Sequence, residues 1–119
     1  GSWTTWSPHG IIEESGSYHL DKLDGAWKFY YETGGLKTVT HYSDGKLSGK
    51  TINYYITGEK QSITHHKLVR VKVYVLTKAN GKKVYRTGRV SRPHGMWTYY
   101  DTEGKVLFRQ KYKKGDKVK

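Results

Sequence analysis

Ten cations, Lys60, Lys67, Arg70, Lys72, Lys78, Lys82, Lys83, Arg86, Arg89 and Arg92, fall between Lys60 and Tyr100 with no acidic residue among them. Residues 1–59 carry 5 basic and 7 acidic side chains, whereas 60–119 carry 17 and 3, so the net charge of +12 is made entirely in the second half. Such a field attracts polyanions such as nucleic acid, anionic lipid headgroups or acidic glycans, and also an acidic protein face. Tyr74 and Tyr85 stand among the cations as rings available for stacking. A lysine-rich face can also serve only to keep strands soluble and unpaired. Arginine points instead to recognition, because its planar fork grips phosphate or carboxylate with two hydrogen bonds. The candidate contact residues here are Arg70, Lys72, Tyr74, Lys82, Lys83, Tyr85, Arg86, Arg89 and Arg92.

Other chemistries lack the residues they need. Glu13 and Glu14 are adjacent, so on a strand they point to opposite faces and make a poor acid–base pair. No serine sits in a nucleophile elbow, and no glycine-rich loop opens a helix. No catalytic residue is assigned, and the chain is expected not to be an enzyme. Of the six histidines, His41 and His65 each lie seven residues after a turn glycine, which would place them on adjacent rungs about 5 Å apart. His66 follows His65 and faces the other way, and no carboxylate or cysteine falls beside the pair by periodicity, so no metal site is assigned. No cofactor is expected either.

The elements that must carry these residues are announced by glycine. Gly10, Gly34, Gly58, Gly81 and Gly104 follow one another at intervals of 24, 24, 23 and 23 residues. Such a period marks a repeat protein. Seven residues before each glycine stand Trp3, Trp27, Thr51, Tyr74 and Trp97; four before stand Trp6, Tyr30, Tyr54, Thr77 and Tyr100; eight after stand Tyr18, Tyr42, His66, Arg89 and Tyr112. Within a unit the pattern is strand, tight turn, strand, turn, as in Trp27–Tyr31, Glu32–Gly35, Leu36–Tyr42 and Ser43–Gly45. Little or no helix is predicted. The columns seven and four residues before the glycine differ by an odd number and face opposite sides. The first is expected to be core; Trp6, Tyr30, Tyr54 and Tyr100 of the second are the better partner-contact residues. Units three and four break the turn pattern at His66, Val69, Lys72, Arg89 and Arg92. There Leu68–Val75 alternates, valines to one face and Arg70, Lys72 and Tyr74 to the other.

Length and composition bound the rest. Gly1-Ser2 reads as an expression scar, and residues 3–119 form one domain of about five repeats of 23–24 residues. With the pattern already running at Trp3, a preceding targeting segment is left open. No apolar run approaches the roughly 20 residues of a transmembrane helix. The absence of cysteine excludes disulfides and thiol chemistry. Four Trp, 11 Tyr and 2 Phe must build the core of an all-β protein.

Tyr42-Ser43-Asp44-Gly45-Lys46-Leu47-Ser48-Gly49-Lys50 followed by Tyr54-Tyr55-Ile56-Thr57-Gly58 resembles the MORN-repeat variant of bacteria, including the YwqK-type antitoxin-like family. Gly25–Tyr30 and Tyr112–Gly115 are similar to it too. The resemblance implies an elongated, twisted, single-layer antiparallel sheet of stacked β-hairpins and no catalytic residue. It implies a noncatalytic binding module that docks another macromolecule, in first place a protein, in an antitoxin-like or envelope-associated role. The alternative is electrostatic binding of a polyanion through the basic second half, peripheral membrane contact included. Location is left open, with export or the cell envelope favoured over the cytoplasm, and the open end strands leave a dimer open as well.

Overall fold

A computed structural model describes residues 1–119, which form strands and turns without a helix. In chain order the strands are β1 (Ser2–Trp6), β2 (Ile12–His19), β3 (Lys22–Tyr30), β4 (Leu36–Ser43), β5 (Lys46–Leu47), β6 (Gly49–Tyr54), β7 (Lys60–Thr77), β8 (Lys83–Pro93), β9 (Gly95–Tyr100), β10 (Val106–Lys113) and β11 (Asp116–Val118). All join one antiparallel sheet in the order β1-β2-β3-β4-β6-β7-β9-β10-β11, with β5 adding to β4 and β8 to β7. Its extents of 62 × 40 × 16 Å are those of an elongated single layer.

The five repeat glycines perform one task. Each has φ between 80° and 98°. Each donates its N–H to the carbonyl three residues earlier, on Ser7, Tyr31, Tyr55, Lys78 or Asp101, at 2.9–3.1 Å. Those five residues donate back across the turn at 2.7–2.8 Å. This left-handed position is one that glycine adopts without steric cost, and it sets both the turn and the one-residue register slip beside it.

A second kind of turn joins one unit to the next, ten and eleven residues after the glycine. Leu20-Asp21 (φ 50° and 64°), Asp44-Gly45 (53° and 80°) and Lys114-Gly115 (50° and 101°) all place two successive residues at positive φ, the signature of a two-residue hairpin turn. The equivalent pairs in units three and four are Leu68-Val69 and Ser91-Arg92, and neither adopts positive φ. A β-branched valine resists that region. The chain therefore runs straight on, giving the 18-residue β7 and its return through β8 and β9.

The outcome differs from a uniform stack of five. Unit five lies directly on unit three: Ser62 pairs with Tyr99 and Ile63 with Thr98. The Tyr55 hydroxyl donates to the Tyr100 carbonyl at 2.7 Å, as the Tyr31 hydroxyl donates to the Tyr54 carbonyl at 2.6 Å. Unit four, with no turn to fold it into the stack, becomes a two-stranded ribbon from Lys67 to Pro93.

Trp27, 2% exposed, is the one large apolar side chain that is fully buried. Its indole N–H donates to the Ser17 carbonyl at 3.0 Å, and Tyr18 meets its ring edge-on at 5.2 Å. Trp97 repeats the arrangement half-buried, donating to the His65 carbonyl at 2.9 Å, with Tyr112 at 4.6 Å and His66 at 5.4 Å between ring centres. Between these two anchors the sheet is held by hydroxyls and an amide: Thr40 to Thr51 at 2.6 Å, Thr38 to Asn53 at 2.8 Å and Asn53 to Ser62 at 3.1 Å. The expected core column thus holds only at Trp27 and Trp97. Trp3 is 49% exposed, because β1 has a neighbour on one side only, and Tyr74 is 54% exposed, because it sits on the ribbon with nothing over it.

Candidate functional site: the basic ribbon

Every residue from Lys67 to Pro93 that carries charge is a cation, nine in all, and none is in an ion pair. The single ion pair of the molecule joins Lys22 to Asp44 at 3.4 Å, in the stack. Strand pairing sorts the nine. Arg70 opposite Arg89, Lys72 opposite Thr87, Tyr74 opposite Tyr85 and Thr77 opposite Lys83 share one face. Lys67 opposite Arg92, Val69 opposite Val90, Val71 opposite Gly88 and Val73 opposite Arg86 share the other, while Lys78 and Lys82 sit in the end turn. The slip at Val75 keeps Thr77 on the face of Tyr74, and their hydroxyls meet at 2.6 Å.

The ribbon is braced at its root. The Ser91 hydroxyl donates to the Leu47 carbonyl at 2.7 Å, and the Gly115 N–H donates to the Pro93 carbonyl at 2.7 Å. Gly88 lets the ribbon close on itself: a Cβ there would stand 2.7 Å from Val73 Cγ2. On the first face Tyr74 and Tyr85 make an edge-to-face pair with centres 6.1 Å apart, and Lys72 Nζ stands 5.9 Å from the Tyr85 ring centre. An open groove of about 660 Å³ beside the root is lined by Lys22, Asp44, Lys46, Arg70, Arg86 and Arg89 among others and by no apolar side chain.

The structure gathers nine of the sequence-predicted contact residues here: Arg70, Lys72, Tyr74, Lys82, Lys83, Tyr85, Arg86, Arg89 and Arg92. The other four, Trp6, Tyr30, Tyr54 and Tyr100, sit beside the glycine turns at the opposite edge of the sheet, Trp6 exposed and the tyrosines half-buried. The two sets do not form one surface. Sequence reasoning missed Tyr31 and Tyr55, whose hydroxyls staple one unit to the next. Their shared spacing, three residues before the glycine, was the signal.

The histidine geometry also differs from expectation. β6 lies between His41 and His65, with His41 Nδ1 bonded to the Lys50 carbonyl at 2.7 Å and Lys50 opposite His65. Each repeat contributes two strands, so equivalent residues lie two strands apart. Burial, then the Lys50 ammonium, then His94 hold the His65 pKa below its usual value; burial, then His65, do the same to His66. His66 Nδ1 is buried without a partner. Because both favour the neutral form when folded, the unfolded chain takes up more protons below pH 6.5. Stability is therefore expected to be full above that pH and to fall on acidification. Thermal unfolding at about pH 7.5 and about pH 5 should show the loss, and the double variant His65→Gln, His66→Gln should show a smaller one.

Residues 23–44 and 93–114, the hairpins β3–β4 and β9–β10 that present Trp27 and Trp97, match the MORN repeat variant. These two segments, 44 of the 119 residues, are similar to that family. No curated protein and no solved structure matches it. MORN repeats are generally nonenzymatic binding modules. The two matching MORN hairpins are rungs of the stack, and the ribbon lies between them in sequence.

Proposed function

We propose that this protein is a noncatalytic binding module that docks onto an anionic macromolecule through its ribbon, the MORN hairpins serving as the rigid base. One observation carries the reading: nine cations, with no acidic residue on the ribbon itself, stand on the one element that leaves the stack, all of them exposed and outside any ion pair. Lysine alone would serve to protect the ribbon's open edges, but four of the nine cations are arginines, whose planar fork suits phosphate or carboxylate. The resemblance puts a protein partner first and a polyanion second. The geometry favours the second, since long-range attraction acts hardest on a ligand that meets the ribbon tip before anything else.

The test is retention on immobilised heparin. The wild-type chain should be held and released steeply between about 50 and 200 mM salt. The triple variant Arg86→Glu, Arg89→Glu, Arg92→Glu should pass through while remaining folded. Unchanged retention of a folded variant would remove the ribbon from the site.

Docking of a protein, as in an antitoxin-like or envelope-associated role, is the second reading, and a groove at the opposite edge favours it. Tyr30 and Tyr31 line this groove with Ile11, Ile12, Glu13 and Glu32 among its walls, a mixed apolar and acidic surface of about 610 Å³. An apolar contact there would survive the salt that releases heparin.

A further inference from the structure

We infer that the ribbon enters a groove of double-stranded nucleic acid. The inference rests on the ribbon being the docking element proposed above and names what it docks on. Three features of the ribbon carry it.

The first is shape. A two-stranded antiparallel ribbon, its strands about 4.8 Å apart, is an element that the roughly 12 Å wide major groove of a duplex admits. The second is reach. Lys67–Thr77 spans eleven residues of β7, which at about 3.3 Å per residue extend ~36 Å, close to one turn of the duplex.

The third is the distribution of charge, and it separates a groove from a flat surface. Arg70, Lys72, Arg89 and Lys83 stand on one face and Lys67, Arg86 and Arg92 on the other. A flat anionic bilayer would meet the cations of one face and leave the rest in water. A groove has phosphates along both walls, so a ribbon lying in it places cations of both faces within reach of phosphate. The exposed Tyr74–Tyr85 pair adds apolar rings to the first face, suited to contact with bases or sugars.

The experiment uses the full chain, a fluorescent DNA duplex of mixed sequence, the corresponding single strand, and phosphatidylserine vesicles. The duplex should bind at least about ten-fold more tightly than the single strand. Its affinity should fall about 10³-fold between about 50 and 200 mM salt, a log–log slope near −5 for six phosphate contacts. The pair Arg70→Glu, Arg89→Glu and the pair Lys67→Glu, Arg86→Glu should each weaken duplex binding at least about ten-fold. All four residues are exposed, and circular dichroism checks that the variants stay folded. Equal binding of the single strand, a loss confined to one pair, or vesicle binding without duplex binding would overturn the groove. If heparin retention still depends on the ribbon in that case, the docking reading stands and only its occupant changes. If heparin retention is unaffected by the charge reversals, both fall together.

Discussion

Trp27→Ala is expected to cost about 3–5 kcal/mol, the range for removing a large buried aromatic side chain. The residue earns that expectation by its surroundings: it is 2% exposed, it is the one large apolar side chain fully out of water, and its indole N–H is bonded to Ser17. The loss should not spread evenly. In a linear array each unit is stabilised by itself and its neighbours, so β1 to β4 should open while the hairpins around Trp97 remain closed. Hydrogen exchange resolved along the chain would show fast exchange confined to the first two units. Uniform loss of protection would mean that the sheet melts as one body, and an unchanged melting temperature would refute the anchoring role of Trp27.

Gly16→Ala is expected to destabilise by about 1–3 kcal/mol, the cost of overpacking a filled site. A glycine in the middle of a strand is normally a weakness of roughly 0.5–1 kcal/mol that alanine repairs. At Gly16 the sign reverses. The Trp27 ring lies directly over it, and an added Cβ would overlap Trp27 Cδ2 and Cε2, atoms of a rigid ring that cannot bend away. Gly35→Ala is the control, since its added methyl would meet only Thr33 Oγ1, at 3.7 Å. Chemical denaturation of the two variants should separate them in sign. A neutral Gly16→Ala would show that Trp27 can slide at no cost, and its burial would then owe little to close fit.

Much of the architecture was legible because turns dominate it. A glycine at positive φ is required where the hairpin closes, so the spacing of Gly10, Gly34, Gly58, Gly81 and Gly104 reports the hairpins directly. In the second unit β4 follows within a residue, whereas β3 begins at Lys22, five residues before the expected Trp27. Charge was legible as well, since counting needs no fold. Exposure of Trp3 and Tyr74 was not, because it depends on whether a neighbouring strand exists to cover a column, and periodicity assumes one. The interval between His41 and His65 was misread for a related reason: periodicity gives the repeat but not that two strands, not one, separate equivalent rungs. Val69 and Arg92 stood out as departures from the pattern, yet that they let the ribbon leave the stack became visible only in the pairing of β7 with β9.

The straight passages at Leu68-Val69 and Ser91-Arg92 make the array editable. Two dipeptides decide whether a unit lies in the stack or leaves it, and the stack closes behind the departing unit through the same Tyr55-to-carbonyl staple that joins ordinary neighbours. The scaffold and its appendage are thus separable in inheritance. A lineage could lengthen, recharge or erase the appendage without renegotiating the rungs, and could raise another one elsewhere by rewriting a pair of turn residues on each side of a repeat.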